Sequence, residues 1–145
     1  MSQFLASRRY AAALVELAEI GAAGEQDSDY WYLQGEIWAN LGRYREAIQS
    51  YNRGLALVSG GSDLLISKAT CYLHLGKFKA AVACCDRALA LNPKALQAWM
   101  LKGAAHQRLG QYRKAYRSYA KASRRRSLSW QERLSRPLRL IYHHR

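Results

Sequence analysis

The sequence predicts an all-α fold, an α-solenoid of antiparallel helix pairs with a C-terminal capping helix. Two observations predict it: a 34-residue period, and a glycine that divides each period into two helix-length segments. The period sets columns of aromatic, alanine and glycine residues, namely Tyr10, Tyr44, Phe78 and Tyr112; Ala13, Ala47, Ala81 and Ala115; and Gly42, Gly76 and Gly110. A period of this length is typical of a solenoid, because each helix pair buries its apolar face only by stacking on the next pair.

Turn residues mark the expected ends of the helices. An N-terminal helix over 2–21 forms a half-repeat, because Arg8 stands where the turn glycine of a full unit would be. Gly21 and Gly24 stop this helix, and Pro93 ends a later one, since proline cannot continue a helix. The predicted helix pairs cover 29–41 with 44–57, 63–75 with 78–91, and 95–109 with 112–125.

These boundaries define a single domain over 1–145, closed by a basic segment. The half-repeat helix spans 2–21, the repeats span 28–61, 62–95 and 96–127, and a basic capping helix or tail spans 128–145. Ser129 and Glu132 match a capping box at the start of that segment. Its apolar face consists of Trp130, Leu134, Leu138 and Ile141. Pro137 lies inside it and predicts a kink or a break.

Composition narrows the class of protein. Half of the residues are hydrophobic, which excludes a disordered chain. No apolar run approaches the roughly 18 residues that a membrane-spanning helix needs. The N-terminal residues do not show the charged start and long apolar run of a signal peptide, so we expect a cytoplasmic protein.

The cysteines and histidines indicate neither a disulfide framework nor a metal site. Cys71, Cys84 and Cys85 are odd in number and two are adjacent, which indicates a reducing compartment. We expect them to be buried or half-buried apolar thiols, and we expect no metal and no other cofactor. Without a Ser-His-Asp or Cys-His grouping or a phosphate-binding loop, the sequence also predicts a protein that is not an enzyme.

Charge is concentrated at the C-terminal end. The chain carries a net charge of +13, with 23 Lys and Arg against 10 Asp and Glu. Residues 1–95 hold 10 of those basic residues against 9 acidic ones, whereas 96–145 hold 13 against Glu132 alone. The first two-thirds is therefore a nearly neutral scaffold, and the last third is strongly cationic.

The repeating columns resemble one known family, the tetratricopeptide repeat. In the second unit the motif residues are Trp31, Gly35, Trp38, Gly42, Tyr44, Ala47 and Tyr51. In the third they are Leu65, Ala69, Tyr72, Gly76, Phe78, Ala81, Cys85, Ala88 and Pro93. In the fourth they are Trp99, Gly103, His106, Gly110, Tyr112, Ala115, Tyr119 and Ala122. The resemblance covers about 9–126 and implies a right-handed α-solenoid.

The resemblance also implies that the first helix of each pair lines a concave groove that holds a partner. Carried onto this chain, the groove positions are Tyr32, Leu33, Glu36, Asn40, Ile66, Thr70, His74, Met100, Ala104 and Arg108. Tyr32, Ile66 and Met100 would form an apolar ladder, with ordinary packing between helices as the alternative. The implied function is an adaptor or assembly chaperone that binds an apolar peptide or helix in this groove.

One peptide-binding mode of the family is not expected. That mode uses Lys and Asn at the fifth and ninth repeat positions to grip a terminal carboxylate. The residues at these positions are Tyr32 and Glu36, Ile66 and Thr70, and Met100 and Ala104. None of these pairs supplies the clamp, so the sequence does not predict an adaptor that reads an acidic C-terminus.

Two further departures from the family pattern lead to predictions. The seventh position, often Leu in the family, is Gln34, Lys68 or Lys102, and we expect it to be solvated. The N-terminal helix has no preceding partner helix, so an apolar flank is left uncovered. Such a flank predicts association with a partner or with a second copy.

A basic surface is the competing candidate site. Its residues are Arg113, Lys114, Arg117, Lys121, Arg124, Arg125, Arg126, Arg133, Arg136 and Arg139. It could bind an acidic protein surface, the phosphates of RNA or DNA, or an anionic membrane, or could serve solubility alone. Tyr112 and Tyr119 hold core positions of the repeat, which leaves Tyr116 as the tyrosine free to stack on a base.

Overall fold

A computed structural model describes residues 2–124, and they form helices joined by short turns. The helices are α1 (Ser2–Ile20), α2 (Ser28–Asn40), α3 (Tyr44–Leu57), α4 (Ser62–His74), α5 (Phe78–Leu91), α6 (Leu96–Arg108) and α7 (112–124). A 3-10 helix over Gly21–Gln26 follows α1. The all-α solenoid is confirmed, and the predicted helix ends lie within one residue of those observed for α2 to α6. The predicted capping helix, with Pro137, lies outside the described residues.

The turn inside each pair has the same hydrogen-bonded geometry. Gly42, Gly76 and Gly110 have φ values of 76°, 74° and 75°. In the first of these turns, the amide N–H of Arg43 donates to the carbonyl of Trp38 at 2.9 Å. This pattern is a Schellman motif, which needs a left-handed residue that glycine adopts without a steric penalty. The glycine column therefore reverses the chain between the two helices of every pair.

Side chains and glycines also set the ends of the helices between units. Gly21 has a φ of 60° and ends α1, as the sequence predicted. The carboxylate of Asp27 caps α2 by accepting a hydrogen bond from the amide of Asp29 at 2.9 Å. After α5, the side-chain oxygen of Asn92 accepts from the amide of Lys94 at 3.1 Å. These local bonds replace the intrahelical partners that terminal backbone groups lack.

The core lies between stacked helices, and its repeat columns match in size. A β-carbon added to Gly103 would stand 2.6 Å from the ring of Tyr119, and Gly35 faces Tyr51 in the same way. In the unit between them, Ala69 packs in one cluster with the smaller Cys85. The eighth repeat position is therefore glycine where its neighbour is tyrosine and alanine where its neighbour is cysteine, because the space is filled to native density either way.

The seventh repeat position is not solvated, contrary to the sequence-based expectation. Gln34, Lys68 and Lys102 are half-buried. The amide oxygen of Gln34 accepts a hydrogen bond from Ser50, and the ammonium of Lys102 pairs with Asp86 at 2.7 Å. Long polar side chains fill this position because their aliphatic stems pack between helices while their ends find partners.

Two tyrosines assigned to the core are exposed to different extents. Tyr112 is 70% exposed, so its assignment is wrong for the described part of the chain, whereas Tyr119 packs one side of its ring against Gly103 and leaves 36% exposed. Both belong to α7, and no described helix follows it to cover them. Tyr116 is 75% exposed, in agreement with its prediction.

The N-terminal helix is covered on one side. Leu17 is buried against the following unit, where its carbonyl accepts a hydrogen bond from the hydroxyl of Tyr30. Val15 and Ile20 are exposed, and Leu14 is half-buried. The apolar flank that the half-repeat predicts is thus visible among the described residues. Association through it stays a prediction.

Candidate functional site

Two adjoining cavities run along the first helices of the repeats, and together they form what we call the groove. The first, about 440 Å³, is lined by Glu36, Ala39, Asn40, Tyr44, Tyr51, Ser67, Thr70, Cys71, His74 and Gln97. The second, about 430 Å³, is lined by Thr70, Leu73, His74, Phe78, Leu101, Ala104, Gln107 and Arg108. They share Thr70 and His74, so the groove is continuous from α2 through α4 to α6.

The first cavity is polar, and its side chains are held in place. The hydroxyl of Tyr51 donates to Oε1 of Glu36 at 2.6 Å. The side-chain amide of Asn40 donates to the Glu36 carbonyl at 2.7 Å, and the hydroxyl of Thr70 donates to the Ile66 carbonyl at 3.1 Å. One oxygen of the Glu36 carboxylate is thus used by the core, and a carboxylate has lone pairs to accept more.

Buried neutral groups surround that carboxylate. Burial, and secondarily the hydrogen bond to Glu36, raises the pKa of Tyr51 far above its ordinary value. Burial, with a smaller contribution from the Glu36 charge, raises the pKa of the Cys71 thiol to about 12. Both groups stay protonated at neutral pH, and no Lys or Arg lines this cavity among the described residues. The carboxylate therefore has no cationic side chain beside it in the cavity.

The second cavity is more apolar and is bordered by a cation. Leu73, Leu101 and Ala104 supply aliphatic surface. The guanidinium of Arg108 lies 5.1 Å from the ring centroid of Phe78, a cation–π contact. At the junction of the two cavities the rings of Tyr44 and His74 stack, with centroids 4.5 Å apart and planes inclined by 2°. The groove thus changes along its length from an anionic, hydrogen-bonding end to an apolar end.

A direct sequence match agrees with the observed helix pairs and with the glycine turns inside them. The Tetratricopeptide repeat model matches residues 28–60, 62–95 and 96–127. These segments cover more than half of the chain. The chain belongs to the tetratricopeptide repeat family.

Solved tetratricopeptide repeat structures resemble this chain. MamA is 17% identical, with a TM-score of 0.80, covering 84% of this chain and 71% of that one, which shows the fold alone. The first repeat domain of Spaghetti (RPAP3) bound to the HSP90 peptide SRMEEVD is 25% identical over 79% of this chain and 94% of that chain, with a TM-score of 0.69. The second domain of human RPAP3 in complex with the HSP70 peptide SGPTIEEVD is 27% identical over 61% and 74%, with a TM-score of 0.60.

Two other findings are negative. Comparison with curated proteins found no matching sequence. Within residues 2–124, no helix combines the length and the apolarity that crossing a membrane requires.

Most of the residues that the tetratricopeptide repeat pattern assigned to the groove lie in the lining of its two cavities. Six of them line the two cavities: Glu36, Asn40, Thr70, His74, Ala104 and Arg108. Leu33 and Met100 are about half exposed but lie outside both cavities. Tyr32 lines a separate cavity of about 270 Å³ with Asp29 and Asp63.

The apolar ladder of Tyr32, Ile66 and Met100 does not line the two cavities of the groove, and at its middle position the alternative, packing between helices, is observed. Ile66 is 9% exposed and packs with Leu65, Ala88 and Ala98. It belongs to the central helix α4, which has neighbours on both sides, so its side chain turns into the interface between units. The first cavity is mainly polar, and Glu36, Asn40, Thr70 and His74, which the repeat pattern assigned to the groove, are part of its lining.

Four lining residues stand outside the groove positions of the repeat pattern. They are Tyr44, Tyr51, Cys71 and Phe78. Three of them occupy the second helix of a pair, which the repeat pattern assigns to packing. The aromatic column was the available signal, because Tyr44 and Phe78 stand two residues after the turn glycines, at the start of the second helix, and so reach the groove edge.

The basic surface is partly described. Arg113, Lys114, Arg117 and Lys121 are exposed on α7, and Arg124 is exposed at its last described residue. The other predicted members, Arg125, Arg126, Arg133, Arg136 and Arg139, lie outside the described residues. None of the described members lines the groove, so the groove and the basic surface are separate sites.

Proposed function

We propose that the protein is a non-catalytic protein–protein interaction module, an adaptor or assembly chaperone, whose groove binds a segment of a partner protein. The observation that carries this proposal is the continuous groove along α2, α4 and α6, lined by side chains that the fold already holds in position. Fixed side chains lose little freedom on binding, so more of the contact energy appears as affinity. The similar RPAP3 domains, which were solved with HSP90 and HSP70 peptides, support the same use of this groove.

The lining determines the chemistry of the segment that fits. Apolar side chains of the partner suit the second cavity, between Leu73, Phe78 and Leu101. A hydrogen-bond donor or a cationic side chain suits the first cavity, where it would meet the unpaired lone pairs of Glu36. A segment without such a donor would cover the Glu36 carboxylate and leave it unpaired, which costs free energy and gives the groove selectivity. The apolar segment expected from the sequence is thereby refined to one with an apolar part and a polar part.

The same lining disfavours the acidic peptide ends bound by the similar domains. SRMEEVD and SGPTIEEVD both end in acidic residues. In this chain a carboxylate occupies the ninth position of the second unit, and like charges placed together oppose binding. We therefore propose a partner segment that is not an acidic C-terminus.

The basic surface is proposed to contact an acidic surface of the same or another partner. Its alternatives are RNA or DNA and an anionic membrane, each of which would also lose affinity as salt is raised. The exposed flank of α1, with Val15 and Ile20, is proposed as a further point of association. The three free cysteines suit a reducing compartment, and the cytoplasm is our proposal for the location.

A site-specific cross-linking experiment tests the groove. A photo-reactive phenylalanine derivative replaces Leu101, which lines the second cavity, in full-length protein expressed in cells. The matched control replaces the exposed Arg87 of α5, which lies outside the groove. We expect the Leu101 position to capture a defined partner peptide, identified by mass spectrometry, and the Arg87 position not to capture it.

A second comparison links the captured peptide to the chemistry of the groove. The peptide found at Leu101 is synthesised, and its dissociation constant is measured with wild-type protein and with Glu36→Gln. Glutamine retains an acceptor for Tyr51 but loses the charge, so affinity should fall about fivefold or more if the peptide presents a cation. The interaction function fails if the groove position captures nothing beyond what the control position captures.

A further inference from the structure

A third cavity, separate from the groove, lies between α5, α6 and α7, and we call it the basic cavity. It encloses about 420 Å³. Its lining consists of Val82, Asp86, Trp99, Lys102, His106, Lys114, Arg117, Ser118 and Lys121. Three helices from two successive units therefore contribute to one recess, and its residues include several that the repeat pattern assigns to packing.

The charge of this recess is strongly positive. Lys102, Lys114, Arg117 and Lys121 each bring one positive charge. Asp86 is its one acidic lining residue, and its carboxylate is paired with Lys102 at 2.7 Å. Because Asp86 balances the charge of Lys102, the lining keeps a net positive charge from Lys114, Arg117 and Lys121. Their mutual repulsion is relieved when an anion enters, which favours an anionic ligand.

The wall of the recess is rigid. The indole N–H of Trp99 donates to the carbonyl of Pro93 at 3.0 Å, which fixes the ring. The ammonium groups of Lys121 and Lys102 lie 4.5 Å and 5.4 Å from its centroid. Cation–π contacts of this kind hold flexible lysine side chains near one position. Nδ1 of His106 lies 2.7 Å from the side-chain oxygen of Gln111, so this ring is also held.

The basic cavity and the groove lie on opposite sides of α6. The helix contributes Trp99, Lys102 and His106 to the basic cavity, and Leu101, Ala104 and Arg108 to the groove. With 3.6 residues per turn, these two sets are about half a turn apart. The two sites therefore share no lining residue and can be occupied at the same time.

We propose that the basic cavity binds an acidic segment of a protein, with an Asp or Glu side chain entering the recess and meeting Lys114, Arg117 and Lys121. This inference rests on the proposed interaction function. It goes further by naming the ligand of the basic cavity. It assigns to that site Trp99, Lys102 and His106, which carry no role in the groove.

The geometry favours an acidic protein segment over nucleic acid and over a membrane. The half-buried ring of Trp99 already contacts two ammonium groups, which compete with a base for stacking on it. The exposed rings of Tyr112 and Tyr116 do not line the recess. A flat membrane surface contacts protruding side chains rather than a recess between three helices, whereas a single carboxylate side chain can enter it.

The test measures binding of fluorescein-labelled decaglutamate by fluorescence anisotropy, with full-length protein in about 0.15 M salt, near the physiological ionic strength. The site variant is Lys114→Gln with Lys121→Gln. The matched control, Lys77→Gln with Lys94→Gln, removes the same charge at exposed positions outside the cavity. We expect the dissociation constant to rise about tenfold or more in the site variant, and less than about twofold in the control, because only the former loses charge-assisted contacts.

Two further variants guard against a folding defect and add an opposite effect. Arg117→Gln removes a lining cation at an exposed position and should weaken binding about threefold or more. Asp86→Asn releases Lys102 from its ion pair and should tighten binding about threefold. Circular dichroism confirms that each variant retains its helices.

Other outcomes overturn the proposal. Equal weakening by the site and control variants would mean that the net charge alone attracts the peptide. Binding of labelled decauridine that is tighter than binding of decaglutamate, and lost in the site variant, would assign the cavity to nucleic acid. Binding to vesicles containing 30% phosphatidylserine that is tighter than binding of decaglutamate, and lost in the site variant, would assign the cavity to lipid. Capture of a peptide at Leu101 is independent of all of these results, so the groove function can stand if the basic cavity fails.

Discussion

The hydroxyl of Tyr51 donates a 2.6 Å hydrogen bond to Oε1 of Glu36, and this bond joins the core to the groove. Tyr51 is a core residue of α3 that packs against Gly35 of α2 at the floor of the first cavity, and Glu36 lines the same cavity. The packed ring therefore fixes the position of the one carboxylate that a partner meets in that cavity. A change in the core at this point is expected to alter both stability and recognition.

Removing the hydroxyl tests the energetic part of this relationship. Tyr51→Phe should lower the free energy of unfolding by about 1–3 kcal/mol, because the bond is partly buried and its acceptor is charged. The measurement is equilibrium unfolding in urea. Tyr116→Phe, which removes an exposed hydroxyl, is the control and should change stability by less than about 0.5 kcal/mol. Equal stabilities of wild type and Tyr51→Phe would contradict the prediction.

The close approach of Gly35 to Tyr51 predicts a strong coupling between the two positions. Gly35→Ala places a β-carbon against the ring of Tyr51 and should cost about 1–3 kcal/mol, although alanine is the better helix former. In a Tyr51→Cys background, which reproduces the Ala69 and Cys85 pair of the next unit, the same change should cost little or stabilise. A double-mutant cycle in urea measures the difference. Additive effects would show that the ring does not limit the size of residue 35.

The turn glycines give a prediction with a matched control in the same molecule. Gly76→Ala should destabilise the protein by about 1–2 kcal/mol, because its φ of 74° is unfavourable for a residue with a β-carbon. Gly60→Ala is the control, since a β-carbon there meets nothing within 4 Å and its φ is not in the left-handed region. Thermal unfolding of the two variants should separate them clearly. A melting temperature for Gly76→Ala that equals that of Gly60→Ala would refute the backbone argument.

The buried thiols predict loss of stability in alkali. Burial raises the pKa of Cys71 and of Cys85 to about 12 from an ordinary value of 9.0, so the folded state holds these protons more tightly than the unfolded state. Their contribution is complete below about pH 9 and is lost as the pH rises from 9 toward 12. Each thiol should account for a decline on the order of 1 kcal/mol per pH unit in that window.

Urea unfolding at pH 8, 9, 10 and 11 measures this decline. Cys71→Ala and Cys85→Ala should each flatten it, whereas Ser59→Ala, at an exposed loop position, should leave it unchanged. At pH 8 the native thiols should also react with a disulfide reagent far more slowly than thiols of the unfolded chain. Rapid reaction of all three thiols in the folded protein would contradict their burial.

The repeat positions and turns could be predicted because they depend on local chemistry. Gly42, Gly76 and Gly110 stand where a Schellman turn requires a left-handed residue, and Asn92 with Pro93 ends a helix by side-chain bonding and a missing amide. These properties belong to a few consecutive residues. The predicted boundaries of α2 to α6 therefore came within one residue, and the 34-residue step then set how the pairs stack.

The lining of the groove could be predicted only in part, because a helical residue has more than one possible neighbour. Ile66 and Met100 occupy the same repeat position, yet the first is buried and the second is 49% exposed. The helices packed around α4 cover Ile66, whereas those packed around α6 leave Met100 half exposed. Likewise, Lys102 was expected in solvent, but Asp86 of the preceding helix holds it in the interface. Such contacts join residues that are distant in the chain.

The sequence by itself determined the architecture, the family and the uneven distribution of charge. Periodicity and turn chemistry are local, and they repeat often enough to exclude other folds. Only the tertiary structure decided that Tyr51 holds Glu36 in place by a hydrogen bond, and that Trp99, Lys102 and Lys121 converge with Lys114 and Arg117 around one cavity. These arrangements depend on how successive helices pack, and packing selects which side of each helix is left open to a partner.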